Sequence, residues 1–427
     1  MLVMNSPFPT VDSDRAGRAR GEPAQRLLIH ATIVAVCLWT VFFWNLSTPG
    51  LRDRSGNLKG TDFLHLYTIG TLALEHRGSD LYDMEAQAEL SADRVPEAKG
   101  LRYLPLYPPQ VSIFFAPFAL LSYREALWSW WILSAGVYAT CCYVIWRMCA
   151  GLQSYGLCVI VAAVGFPPLF HLITWGQTSA LALACLTAFY LQLRAGRELS
   201  AGFVLGLLAF KPQLAFAAAI VLVGLGMWKV IFSAVASAIV EFAVGIFYYG
   251  FVPVLTWMRT LWATRHLTGL LEPRLYQTHS LRTFWSMLIP WSSFSLVLYI
   301  VSGTIVLAWT IQVWKQSQAG QLRFSILLLA TVLVSPHLTV YDLVILVPAF
   351  LLLADWLLGQ ERTKATARMG LLLYLVYMLP LVGFLSRWTH VQMSVIAMYV
   401  LAYQIWRALD NDDKRVTAPA GDQVAQI

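Results

Sequence analysis

The sequence predicts an all-α fold, a polytopic bundle of membrane-crossing helices. Three observations carry that expectation. Hydrophobic residues make up 58% of the 427 residues and charged residues 12%, against roughly 45–50% and 25% in soluble globular domains. The apolar residues fall in long uninterrupted runs, more than a soluble protein of this size can hide, so the bilayer must be part of its solvent. The basic residues behind the net charge of +7 sit singly in short loops between those runs, the pattern that encodes membrane orientation. They do not cluster on a soluble module, so nucleic acid is not an expected partner.

Residues 1–26 are polar, with Pro7, Pro9 and Pro23 and the arginines Arg15, Arg18, Arg20 and Arg26. They read as a disordered basic leader that keeps the N-terminus cytoplasmic. The apolar run 27–46 ends without a small-residue cleavage pattern and reads as a retained first helix. Residues 47–104 carry nine acidic and seven basic residues, too balanced for an orientation signal, and are expected to form a structured outer loop. Further spans are expected at about 126–146, 152–173, 179–193, 230–250, 294–314, 341–358, 369–386 and 391–407. Shorter apolar pieces lie at about 108–121, 199–210, 213–228 and 324–336. Several fall below the ~20 residues of a full crossing, which predicts broken or re-entrant helices. About twelve crossings would make 27–407 one membrane domain and leave 408–427 as a cytoplasmic tail. The six cysteines lie in or beside apolar runs with no zinc spacing and read as small core residues.

Placing Arg147, Arg194, Arg197, Lys229, Lys315, Arg323, Arg362, Lys364, Arg368, Lys414 and Arg415 inside satisfies the positive-inside rule. The outer side then collects the polar and helix-breaking interruptions: Asp62, Tyr107-Pro108-Pro109, Gly176-Gln177, Lys211-Pro212, Ser280-Leu281-Arg282 and Ser335-Pro336-His337. The unusual chemistry therefore gathers on one face.

Asp62 precedes an apolar-periodic stretch, so it suits a helix N-cap. A carboxylate at the membrane surface is equally placed to act as a general base on an acceptor hydroxyl. Lys211 lies within otherwise apolar sequence. An ammonium there costs about 2.5–3.5 kcal/mol on insertion scales, so it snorkels from a helix end, faces a partner or binds a phosphate. Glu241, the other charge in an apolar run, reads as a partner of a basic group or a buried neutral acid. Arg282 has the forked, permanent charge that suits phosphate, although a loop Arg is usually a surface residue. His337, with Asp342 five residues on, stands at a helix break, where a lone His more often satisfies a hydrogen bond than ligates. No glycine-rich phosphate loop, Gly-x-Ser-x-Gly or zinc-type spacing occurs, so no ATP- or nucleotide-sugar-binding module is expected.

Taken in order, Asp62-Phe63 with Tyr67 and Gly70, Leu81-Tyr82-Asp83, Tyr107-Pro108-Pro109, Ala116-Pro117, Gly176-Gln177, Gly202 with Gly206, Lys211-Pro212, Ser280-Leu281-Arg282 and Ser335-Pro336 resemble glycosyltransferase family 87. These are polyprenol-phosphate-mannose-dependent mannosyltransferases of the C-type superfamily. The resemblance spans roughly residues 27–400, and Thr278-His279 stands where the family often has Asn-Gln. It implies a C-type helical bundle with its active site at the outer membrane face and Asp62 as the catalytic aspartate. A hexose, mannose by resemblance, would pass with inversion from a polyprenyl-phosphate donor to a glycolipid or glycan acceptor hydroxyl. Lys211, Arg282 and His337 would hold the donor phosphate, and Tyr67, Tyr107, Gln177 and Ser280 would contact substrate. Neither a cofactor nor a metal is required. Membrane lipids would surround the chain, in a cell membrane with both termini cytoplasmic. The rival readings are a transporter or lipid-linked sugar flippase, which needs functional groups reachable from both faces, and an O-antigen ligase-like or polymerase-like enzyme, in which more outer arginines are expected.

Overall fold

A computed structural model describes residues 11–264 and 274–409. Among the described residues every regular element is helical, and the only ladder contacts are two isolated bridges. Helix α1 spans Val11–Leu46, so helix already begins within the expected leader. Residues 1–10 and 410–427 lie outside the described residues. The carbonyl of Leu46, the last residue of α1 and without an intrahelical donor, accepts from Lys59 Nζ, which also donates to the carbonyls of Thr48 and Gly50 just beyond the helix.

The segment 47–104 carries two α-helices with short 3₁₀ turns. Helix α2, Thr61–Leu74, is buried at every position from Phe63 to Ala73, because it is packed between the segment that follows it and the rest of the bundle. Helix α3, Met84–Arg94, starts where the Asp83 carboxylate accepts from the Glu85 and Ala86 amides. Pro109, its missing N–H harmless in a first turn, opens α4, Pro109–Ala119, which packs along α2. A Ser122/Glu125 capping box opens α5, Tyr123–Met148.

Gly165-Phe166-Pro167 divides the next span into α6, Gly156–Val164, and α7, Pro167–Trp175, bent by 46°. There follow α8, Ser179–Arg194, and α9, Glu198–Gly206, then two tight 3₁₀ turns around Lys211-Pro212 and α10, Phe216–Gly224. Helices α11, Trp228–Tyr249, and α12, Val252–Thr264, precede α13, Leu281–Leu288, and α14, Ser292–Gln316. Helix α15, Gly320–Val334, is buried at every position from Phe324 onward and forms the centre of the bundle. Helices α16, Val347–Leu358, α17, Lys364–Met378, and α18, Met393–Arg407, complete the chain.

Among the described residues, six helical stretches are long and apolar enough to cross a membrane, counting α16 and α17 with their adjoining 3₁₀ turns (Val340–Leu358 and Lys364–Thr389), or seven if the bent pair is one span. Each shorter segment read from the sequence is also helical, but five apolar helices run only 10–17 residues. Proline and glycine breaks keep them below bilayer length, so about twelve crossings are not reached by length and composition. Glu241, on α11, meets the Gln110 amide at 3.5 Å rather than a basic group.

Candidate active site

Asp62 is not the N-cap of α2. That position is Gly60, whose φ of 67° is left-handed and whose Cα would carry a Cβ only 2.3 Å from the Leu127 side chain. Asp62 falls in the first turn with its carboxylate turned across the bundle. Gln177 Nε2 donates to Asp62 Oδ2 at 2.6 Å. The Tyr107 hydroxyl donates to Gln177 Oε1 at 3.4 Å and lies 3.2 Å from Thr178 Oγ1. Tyr103 and Tyr123 bind the backbone at the start of α2, Tyr103 at the Thr61 carbonyl and Tyr123 at those of Lys59 and Gly60. Burial pushes the Asp62 carboxyl up to about 6, against the Gln177 hydrogen bond and the charges of Lys211 and Arg274, which pull it down.

A second cluster begins on the next residue of the same turn. Ser179 donates to Asp342 Oδ1, and Lys211 Nζ donates to Asp342 Oδ1 at 2.9 Å and to Ser179 Oγ at 3.0 Å. Tyr341 places its ring 5.2 Å from the ammonium. The other Asp342 oxygen accepts from the Thr339 amide at 3.2 Å, so this carboxylate is saturated. Lys211 therefore neither snorkels nor stands open. It is a buried cation with a matched anion.

Thr339 leads to the third cluster. It pairs with Thr278 in an antiparallel bridge, His279 N–H donates to the Leu338 carbonyl, and Arg282 NH1 donates to the Pro336 carbonyl at 2.7 Å. The turns carrying Ser280-Leu281-Arg282 and Ser335-Pro336-His337 are thereby zipped together. Ser280 is fully buried beside Thr283 Oγ1, and the Ser335 hydroxyl donates to the His337 carbonyl.

Six of the eight residues singled out in sequence thus lie along one connected polar seam: Asp62, Gln177 and Tyr107, then Lys211, then Arg282 with His337. Ser280 is at the seam but faces its own helix start. Tyr67 is apart from it, its hydroxyl donating to the Leu121 carbonyl at 2.9 Å. Asp342, Thr178, Ser179 and Arg274 were not singled out as site residues. The signal for Asp342 was present, since a lone acid and a lone base in separate apolar runs satisfy each other. Among the described residues, no cluster of three or more His, Cys, Asp or Glu side chains is arranged to hold a metal ion.

The seam holds one partly exposed carboxylate by a hydrogen bond from Gln177, within reach of the charges of Lys211 and Arg274. That arrangement can accept a proton at Asp62 while negative charge develops nearby. Residues 106–336 match the family model of glycosyltransferase family 87, a stretch that contains the second cluster up to Lys211 and begins after Asp62. No curated protein and no solved structure matches the chain.

Proposed function

The chain belongs to glycosyltransferase family 87 and is a membrane glycosyltransferase, and from that premise we propose that it moves a hexose, mannose by family resemblance, from a polyprenyl-phosphate donor to a hydroxyl of a glycolipid or glycan. Asp62 is the general base. The acceptor O–H proton passes to its carboxylate as the acceptor oxygen bonds to the anomeric carbon. The bond from that carbon to the phosphate oxygen breaks on the opposite side, which inverts the configuration and releases polyprenyl phosphate with one additional negative charge.

The observation that carries this reading is the setting of Asp62: partly exposed at its start of helix, hydrogen-bonded by a neutral amide, with a carboxyl near 6. Such a group is ionised at neutral pH yet basic enough to take a proton in the transition state. Arg282, His337 and Arg274 supply donors and charge for the leaving phosphate, with Lys211 behind them already balanced by Asp342. Tyr107 and Gln177 stand behind the Asp62 carboxylate. The site opens to the outer face of a cell membrane, in a C-type bundle with cytoplasmic termini.

The test is transfer of labelled hexose from polyprenyl phosphate in membranes carrying wild-type protein or Asp62→Asn. Transfer by wild type alone is expected, with the variant inserted to the same level. Equal transfer by both removes Asp62 from the mechanism, and transfer by neither across several donors removes the donor class.

A further inference from the structure

The two oxygens of Asp62 are not equivalent. Oδ2 accepts from Gln177 Nε2 at 2.6 Å, whereas no described residue bonds Oδ1. The Gln177 amide is itself held in one sense, because the Tyr107 hydroxyl donates to Oε1 and so keeps the NH₂ end toward Asp62. Its backbone is equally constrained. Gly176 closes α7 with a φ of 73°, the Gln177 amide donates to the Leu172 carbonyl, and Trp130 Nε1 donates to the Gly176 carbonyl at 2.9 Å. A Cβ on Gly176 would sit 2.6 Å from the Phe63 Cβ. The turn is seated directly on the first turn of α2, with no room for a longer or looser connection.

Resting on the assignment of Asp62 as base, we infer that Gln177 is its positioning residue. Gln177 holds Oδ2, leaves Oδ1 as the oxygen that takes the acceptor proton, and Tyr107 locks the amide that does so. The neutral amide matters chemically. It donates to the ionised carboxylate and fixes its rotamer without cancelling its charge, which an Arg or Lys at that distance would do. A Glu there would instead share a proton with Asp62. The other titratable or charged groups around Asp62 are Tyr103, Tyr107, Tyr123, Tyr341, Lys211 and Arg274. None of them engages Oδ2.

The experiment is the pH profile of hexose transfer, measured on the full chain in membranes with a polyprenyl-phosphate hexose donor, for wild type, Asp62→Asn, Gln177→Ala, Gln177→Glu and Tyr107→Phe. In Gln177→Ala the acidic limb is expected to move to higher pH by about one unit, a tenfold smaller ionised fraction on that limb, with kcat lowered and KM little changed. Gln177→Glu moves the limb further the same way, and Tyr107→Phe moves it less. An unmoved limb with raised KM makes Gln177 a substrate contact and overturns the inference. An unmoved limb with activity falling only in step with folded protein makes it structural and overturns it too. If Gln177→Ala does not insert, the limb of Tyr107→Phe decides in the same way. Retained transfer by Asp62→Asn instead overturns the base assignment, whatever the Gln177 variants do.

Discussion

Lys211 and Asp342 form an ion pair 2.9 Å apart whose side chains are only 7% and 3% exposed. It joins the break between α9 and α10 to the tight turn ahead of α16, and Ser179 at the start of α8 completes it. Two charges in such surroundings are stable only together, since each alone keeps the penalty of leaving water.

Breaking the pair from one side therefore destabilises the protein strongly. Lys211→Met or Asp342→Asn is expected to lose about 3–5 kcal/mol. The double variant Lys211→Met/Asp342→Leu is expected to recover most of it, because no unmatched charge remains. Thermal unfolding in detergent, run as a double-mutant cycle, checks this. Additive losses would mean the two residues act separately.

Asp62 carries an opposite relation between stability and use. Its folded carboxyl titrates near 6, above the ordinary value of 3.8, because burial disfavours the charge. Between those values the folded state holds the proton more tightly than the unfolded chain, so stability falls as pH rises across that interval and stays lower above it. Asp62→Asn should then melt higher than wild type at pH 7 to 8, while being inactive, and the gain should vanish near pH 4. Melting curves of both proteins over that range test it. A variant that melts lower at pH 8 contradicts it.

His65 lies one turn further along α2, stacked on Tyr103 and Tyr107 with ring centroids 5.5 and 5.9 Å away. Both ring nitrogens are buried without a well-formed hydrogen bond among the described residues, the Gln87 side chain being the nearest polar group acting on the ring, and small cavities flank it, each with room for about one water molecule. Burial holds the imidazole down to about 4. For a histidine lowered in this way, the folded state refuses a proton that the unfolded chain accepts. Stability is therefore complete above about 6.5 and declines as pH falls toward 4. His65→Phe keeps the aromatic stack and removes the titrating group, so its melting temperature should vary less between pH 7 and 5. An equally steep acid decline in the variant would place its cause elsewhere.

Much of this was legible in the chain. Hydropathy located the long apolar helices, since lipid-facing and core-facing positions are both apolar, but not the more polar or shorter α3, α12 and α13. The helix breaks at Pro108, Pro212 and Pro336 marked where polar groups gather, because backbone groups freed at a break need partners, whereas the break at Pro167, inside the span expected at 152–173, was not read. The identity of those partners was not legible. Gln177 precedes Thr178 and Ser179 in one turn, yet the first serves Asp62 and the last serves Asp342, a division set by which way each side chain leaves the turn. Tyr67 has the right residue type for a sugar contact but sits on the α2 face that packs toward Leu121. The crossing count escaped the sequence for a related reason. Short apolar helices such as α9 and α10 satisfy hydropathy whether they span or fold back.

The bridge from Lys211 to Asp342 also bears on how the protein is made. The two residues are 131 positions apart. At ribosomal rates of about 5–20 residues per second, Lys211 emerges roughly 7 to 26 seconds before its counter-ion exists. Throughout that interval the nascent chain carries an ammonium that hydrocarbon rejects by about 2.5–3.5 kcal/mol. Of the final hydrogen-bond partners of Lys211, only Ser179 precedes it in the chain, so the turn between α9 and α10 gains its matched anion only once the chain has been made as far as Asp342.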